Sequence, residues 1–354
     1  MAVLNIDVLK TSVLEKLINE ELKPYVKKID TEAYYAENFL KKLGEAGLFS
    51  SVGKSQKQYL FDEMHVVRET AKICMTTAFC LWCHLAALTY IRQTKNDKLK
   101  KDLLPSLEKG EIIAGTGLSN PMKFYAGLEN LHLSAKPAQG GYLISGVLPS
   151  VSNLGEDHWF GFIAGVSEEK QIMGFVPCHA EGLKLKEKIE YLGVNGSATY
   201  ACSFKDVFIP DEWIISENGK DYCEQIRPAF LSYQIPLGLG VTEASIESIE
   251  KVCQRQNGCN QFLNKQPEDL KTAVGEMEQK IKDLYSDESL NFKDIARVRL
   301  ETAYLTLEAV QSSMLHNGSA GYLKDCAPSR RLREAYFFAS LTPTIKHLEK
   351  LLNK

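Results

Sequence analysis

"LLPSLEKGEIIAGTGLSNP", residues 103–121, is where the chain changes texture. Its first part sets Leu103, Leu104 and Leu107 at helical spacing beside charged neighbours and stops at Gly110. From Glu111 the pattern turns to a short apolar run broken by Gly115 and Gly117, ending in Ser-Asn-Pro. That is how a strand runs into a loop. Two different textures therefore meet at residue 111, and each continues outward.

Upstream, residues 1–110 read as a helical domain. Val13, Leu14, Leu17 and Leu22, then Phe39, Leu40 and Leu43, recur at 3–4 spacing, and "EAGLFSSVGKSQ" is a turn. One long helix is predicted over about 59–94, and another over 96–109. Downstream, residues 111–218 read as a β domain of short runs separated by Gly, Pro and Asn, spaced as in a barrel or sandwich. Gly140-Gly141 marks a hairpin turn. From 219 to 354 helical periodicity returns, giving a C-terminal four-helix-bundle-like domain. The expected class is α+β, in the order helices, β module, helices.

The composition sets limits. The 354 residues are 44% hydrophobic and 25% charged, with net charge −3. No basic excess attracts nucleic acid or an acidic membrane surface. "MAVLNIDVLKTSVLEKLINEELKPYV" is an amphipathic, acid-rich helix rather than a signal peptide. The apolar stretch 73–91 lacks the density of a membrane span. A cytoplasmic protein with nine reduced cysteines is expected.

Within 73–91 lies "CLWCH", Cys80 to His84, which reads as a haem-attachment string or part of a zinc site. With no export signal and no second ligand pair, neither reading is supported, and no metal is expected. A helix carrying Cys80, Cys83 and His84 on one face is the simpler account.

Four separated strings resemble the acyl-CoA dehydrogenase family of flavoproteins. Residues 103–121 resemble its helix, "G-E", strand and "T-E-P" loop. "GGYLISGVLPSVSN" (140–153) resembles its hairpin and flavin-touching "W-I-T-N" segment. "LGVNGSATYACSFKDVFIP" (192–210) is similar to its "G-x-R-x-S … F-x-D-V-x-V-P" strands. "LHNGSAGYLKDCAPSRRLREA" (315–335) is similar to its C-terminal "G-G-x-G-Y … R-D-A" stretch. The resemblance implies that fold, bound FAD and a homodimer or homotetramer. It also implies hydride transfer from an acyl-CoA or similar small substrate, with an electron-transfer flavoprotein or flavin reductase as redox partner. Matched position by position, Leu118 and Ser119 fall where the family meets the flavin pyrimidine edge. Ser150, Val151 and Ser152 fall on "W-I-T", with Ser150 in place of the bulky Trp. Arg255 falls on an arginine that reaches a neighbouring subunit's FAD diphosphate, and Gly318 and Gly321 fall on the close-approach turn.

The family's catalytic carboxylate has no counterpart. Its usual position, in "REAYFFASLTPTIKHL", holds Thr342. The alternative position, in "IRPAFLSYQIPLGLG", holds no acid, and Glu224 is out of register. α-Proton removal needs a base within hydrogen-bond reach. Thr342 marks the catalytic position without supplying a base, and His84 is the candidate acid–base group, with His347 a second. The resemblance thus leaves three readings: a dehydrogenase with a displaced base, a two-component flavin monooxygenase, or a non-catalytic flavin-binding or scaffold protein.

Overall fold

A computed structural model describes residues 8–188, 191–286 and 291–353. The first seven residues of the expected N-terminal amphipathic helix lie outside the described residues. Six helices come first: α1 (Val8–Leu17), α2 (Val26–Thr31), α3 (Glu37–Glu45), α4 (Gln56–Ile73), α5 (Met75–Gln93) and α6 (Asp97–Glu108). The middle holds β1 (Ala114–Thr116), the short helix α7 (Ser119–Tyr125) and β2 (Leu133–Ala138). It continues with β3 (Gly141–Val151), β4 (Trp159–Gly165), β5 (Gln171–Pro177), β6 (Leu183–Lys188), β7 (Thr199–Pro210) and β8 (Ile214–Ser216). Then come α8 (Gly219–Ser232), α9 (Ile235–Glu250), α10 (Arg255–Gly258), α11 (Pro267–Ser286), α12 (Phe292–Asn317), α13 (Ala327–Ser340) and α14 (Ile345–Leu352).

The expected order of helices, β module and helices is present. The β module differs in form from a barrel or sandwich. It is one open mixed sheet in the order β6-β7-β3-β2-β4-β5-β8, with β1 parallel to β4, and β6 and β8 are its edges. The hairpin at Gly140-Gly141 joins β2 to β3, with Gly140 at φ 76° and Ala138 opposite Gly141. That positive φ suits glycine.

The single helix expected over about 59–94 is two helices. α4 starts in a capping box, in which Ser55 accepts from Gln58 N–H and the Gln58 side chain accepts from Ser55 N–H. The break falls at Cys74, whose backbone is extended (φ −153°, ψ 106°). Its cause lies far away in sequence. Buried Glu334 on α13 accepts from the Thr76 N–H at 3.1 Å and the Thr76 hydroxyl at 3.0 Å. A carboxylate there satisfies otherwise orphaned donors and complements the positive end of α5.

Every residue of α5 from Met75 to Ile91 is buried. This fits a helix that is apolar all round and sits in the core rather than on a surface. α9 crosses α4 so closely that a Cβ on Gly240 would lie 2.5 Å from the Arg68 carbonyl oxygen. Among the described residues no helix is long and apolar enough to cross a membrane, and no group of three or more His, Cys, Asp or Glu side chains could hold a metal. All nine cysteines are free.

Candidate active site

A cavity of about 380 Å³ lies where α5, the ends of β1 and β3, α7, α8 and the segment after α13 converge. Its aromatic side is built from Phe79, Trp82, Phe230 and Phe337. Phe79 stacks on Trp82 (centroids 5.6 Å), and Trp82 meets Phe230 edge-on (4.8 Å). The Trp82 indole N–H donates to the Phe230 carbonyl at 3.0 Å, tying α5 to α8. Such a wall is rigid and excludes water.

The opposite side is lined with hydroxyls. Ser119 and Thr342 face each other with their oxygens 2.9 Å apart. Ser152 is 2.7 Å from Thr199, which is 2.8 Å from Ser197. Ser150 meets the Tyr191 hydroxyl at 3.2 Å. Thr116 meets the Tyr90 hydroxyl at 2.7 Å. Each hydroxyl both donates and accepts, so the pairs can re-aim toward a polar ligand edge. Lys123 and Lys346 also line the cavity.

Of the positions matched from sequence, Ser119, Ser150, Ser152 and Thr342 line this one cavity, though they are up to 223 residues apart. Leu118 and Val151 do not line it. Leu118 is fully buried and starts α7, accepting from Met122 N–H, while its own N–H reaches the Thr116 hydroxyl at 3.4 Å. Val151 is fully buried opposite Tyr200. Arg255, Gly318 and Gly321 lie apart from the cavity, where the chain around α10 packs beside the end of α12. The Asn260 side chain ties the two, donating to the Val252 and His316 carbonyls. Arg255 is exposed, Gly318 follows α12 at φ 56°, and a Cβ on Gly321 would meet the Asn317 Cβ at 2.8 Å.

His84 is not in the cavity, which corrects its reading as the acid–base group. It is fully buried, packs on Phe49 and makes hydrogen bonds with both ring nitrogens. Nε2 donates to the Leu107 carbonyl at 3.1 Å and Nδ1 accepts from Ala114 N–H at 3.2 Å. Only the neutral ring with its proton on Nε2 makes both bonds, and burial pushes its pKa down to about 3. Its neighbour Cys83 does line the cavity, as a thiol that burial keeps protonated. The face of α5 proposed from "CLWCH" is therefore divided. One step of 100° turns Cys83 toward the cavity and His84 toward α6 and β1.

Sequence reading missed the aromatic wall, Thr199 and the two lysines. Thr199 stood within a string similar to the family's, but the aromatics look like ordinary core residues in sequence. Behind Thr342, Gln234 donates to its carbonyl at 2.9 Å and accepts from buried Arg299 at 2.9 Å.

Residues 10–111 match the family model described as acyl-CoA dehydrogenase, N-terminal domain. The short-chain-specific acyl-CoA dehydrogenase of Clostridium acetobutylicum is 24% identical, over 91% of this chain and 90% of its own. Two solved structures superimpose along nearly the whole chain. Butyryl-CoA dehydrogenase from Megasphaera elsdenii does so with a TM-score of 0.85 at 16% identity, covering 99% of this chain and 98% of its own. The electron transferring flavoprotein of Acidaminococcus fermentans does so with a TM-score of 0.87 at 16% identity, covering 99% and 98%. The chain has the acyl-CoA dehydrogenase fold, and its N-terminal segment matches that family's model.

Proposed function

We propose that the protein is a flavin-dependent oxidoreductase that uses FAD and acts on an acyl-CoA or a similar small substrate in the 380 Å³ cavity. The observation that carries this reading is the meeting of Ser119, Ser152 and Thr342 in one cavity closed by aromatic residues. These residues fit a flavin. Hydroxyls suit the mixed donor and acceptor edge of its ring, and lysines suit a diphosphate. Bound there, FAD would supply the hydride acceptor. Ser119 and Ser152 would orient the ring edge, and Phe79, Trp82, Phe230 and Phe337 would exclude water from the reacting bond. Gln234 fixes the Thr342 carbonyl at the same wall. Arg255, Gly318 and Gly321 suit contact with a second subunit's cofactor, in a homodimer or homotetramer. Exposed Phe262, Leu315 and Tyr322 beside them support association. An electron-transfer flavoprotein or a flavin reductase is the fitting redox partner.

A second reading, the two-component monooxygenase, is favoured by one feature: among the described residues no carboxylate lines the cavity. One titration separates the two. Anaerobic addition of butyryl-CoA to flavin-loaded protein bleaches the flavin band if the first reading holds. No bleaching by the natural protein, with bleaching by Thr342→Glu, means that the cavity takes the thioester but lacks a base, and favours the second. Purification without flavin, and failure to bind added FAD, defeats both.

A further inference from the structure

Behind α7 lies a smaller cavity of about 140 Å³. α7 and residues 342–347 form the wall between the two. Ser119 and Lys123 face the larger cavity, whereas Met122 and Tyr125 face the smaller. Likewise Thr342 faces the larger cavity, and Pro343 and His347 the smaller. The Ser119–Thr342 hydrogen bond fastens this wall.

Three polar atoms in the small cavity's lining residues are buried without any hydrogen-bond partner: Tyr125 Oη, Arg227 Nε and His347 Nδ1. Buried polar groups are rarely left unpaired, because each costs its full desolvation. Three on one cavity call for a shared ligand. His347 is only 9% exposed. Arg227 rests on the Phe292 ring at 4.2 Å and makes no ion pair among the described residues. Glu224, one turn earlier, also lines the cavity but forms no ion pair with it, and Lys220 adds a second positive charge. The remaining walls are apolar, including Phe230, Leu231 and Phe292. An engineered apolar cavity of about 150 Å³ holds benzene, so the volume suits a ring-sized group.

We propose that this second cavity binds a small apolar carboxylate of about the size of benzoate, with Arg227 as counter-ion and Tyr125 and His347 as hydrogen-bonding partners. A guanidinium and a phenol supply the donors that a planar carboxylate accepts. The site stands independently of the flavin reading. Its ligand is either a free carboxylate or the carboxylate end of a substrate held in the larger cavity.

The test is calorimetric titration of the purified protein, with and without added FAD, with sodium benzoate and with benzyl alcohol as the uncharged counterpart. Saturable binding of one benzoate per chain is expected, with benzyl alcohol binding at least tenfold more weakly. Arg227→Gln weakens benzoate about tenfold or more, the scale of a lost charge-assisted hydrogen bond. Tyr125→Phe removes only an unpartnered hydroxyl, so it leaves the fold intact and still weakens benzoate severalfold. Val52→Ala, exposed and outside both cavities, leaves benzoate affinity unchanged. Absence of saturable binding overturns the proposal, as does equal binding of benzyl alcohol or indifference to both substitutions. The source is read with glutaryl-CoA and butyryl-CoA. A preference for glutaryl-CoA that vanishes in Arg227→Gln, with benzoate competing, assigns the site to a substrate's carboxylate end. Undiminished benzoate binding beside saturating butyryl-CoA assigns it to a separate ligand. Failure of both thioesters to bind counts against the acyl-CoA reading and leaves the benzoate result decisive here.

Discussion

Arg92 on α5 and Arg299 on α12 are both buried cations, held in opposite ways. Arg92 lies among carboxylates. Nη1 is 2.9 Å from Glu63, Nη2 is 3.1 Å from Glu108, and the guanidinium sits 4.5 Å from the Tyr59 ring. The Tyr233 hydroxyl donates to Glu63 and completes the cluster. Despite burial, these neighbours raise the Arg92 pKa above its ordinary value. Arg299 is fully buried and has no carboxylate partner among the described residues. It donates to Gln234 and to the Phe338 carbonyl, stacks 3.6 Å from the Phe338 ring, and leaves Nη1 unpaired. Burial pulls it down to about 9. The first cluster ties α4, α5, α6 and the α8–α9 corner together. The second sits two side chains behind the cavity and holds Thr342 through Gln234. The cation that serves the fold has carboxylate partners, and the one that reaches the candidate site has none among the described residues.

The largest expected effect comes from breaking the paired cluster. Arg92→Met leaves buried Glu63 and half-buried Glu108 without their counter-charge. The expected loss is about 3–5 kcal/mol in urea unfolding, the usual cost of orphaning a buried ion partner. A loss below about 1 kcal/mol would mean that Glu63 protonates and relaxes, and the contrast between the two arginines would weaken.

His84 resolves the same burial problem by carrying no charge. Its folded pKa of about 3 lies below the ordinary 6.5. The unfolded chain therefore binds the extra proton first as pH falls. The stability contributed by neutral His84 is full above 6.5 and declines as pH drops from 6.5 toward 3. The slope is about 1.4 kcal/mol per pH unit for one proton. Unfolding free energies measured between pH 6.5 and 4 should show this slope, and His84→Gln should flatten it. An unchanged slope in the variant would assign the acid sensitivity to other groups.

These contrasts also show what the sequence could and could not reveal. The change of texture at 111 and the hairpin at Gly140-Gly141 depend on local pattern, and both features are present. The cavity serines were legible because they sit inside strings that resemble the family's. The break at Cys74 was not legible, since its cause is Glu334, some 260 residues away. Nor was the direction of His84. A helix buried on every side has no polar face to orient it, so nothing local distinguishes the side of Cys83 from the side of His84. The smaller cavity draws Tyr125, Arg227 and His347 from three separate helices, and no spacing rule joins them.

Ser119→Ala tests the wall between the cavities with a smaller effect. It removes one hydroxyl pair with Thr342, so a loss of about 0.5–1.5 kcal/mol is expected. Flavin affinity should fall more than stability does if Ser119 also meets the ring edge. Equal flavin affinity in the variant and the natural protein would confine Ser119 to bracing the wall.

The smallest change in stability should come from Arg299→Met, and it bears most directly on the opening contrast. Methionine replaces the aliphatic part of the side chain, is apolar and unbranched, and carries no charge. Replacing an unpaired buried cation this way is often neutral or stabilising, so a change within about 1 kcal/mol of either sign is expected. Function should respond differently. Gln234 loses the donor that fixes its amide oxygen, and the Thr342 carbonyl loses a firmly oriented partner. Flavin or thioester affinity, measured by titration, should then weaken while the unfolding midpoint holds. If instead the variant loses several kcal/mol, Arg299 is as structural as Arg92, and its lack of a carboxylate says nothing about the cavity. If stability and affinity both stay fixed, Gln234 holds Thr342 without help, and the link from Arg299 to the site ends at Gln234.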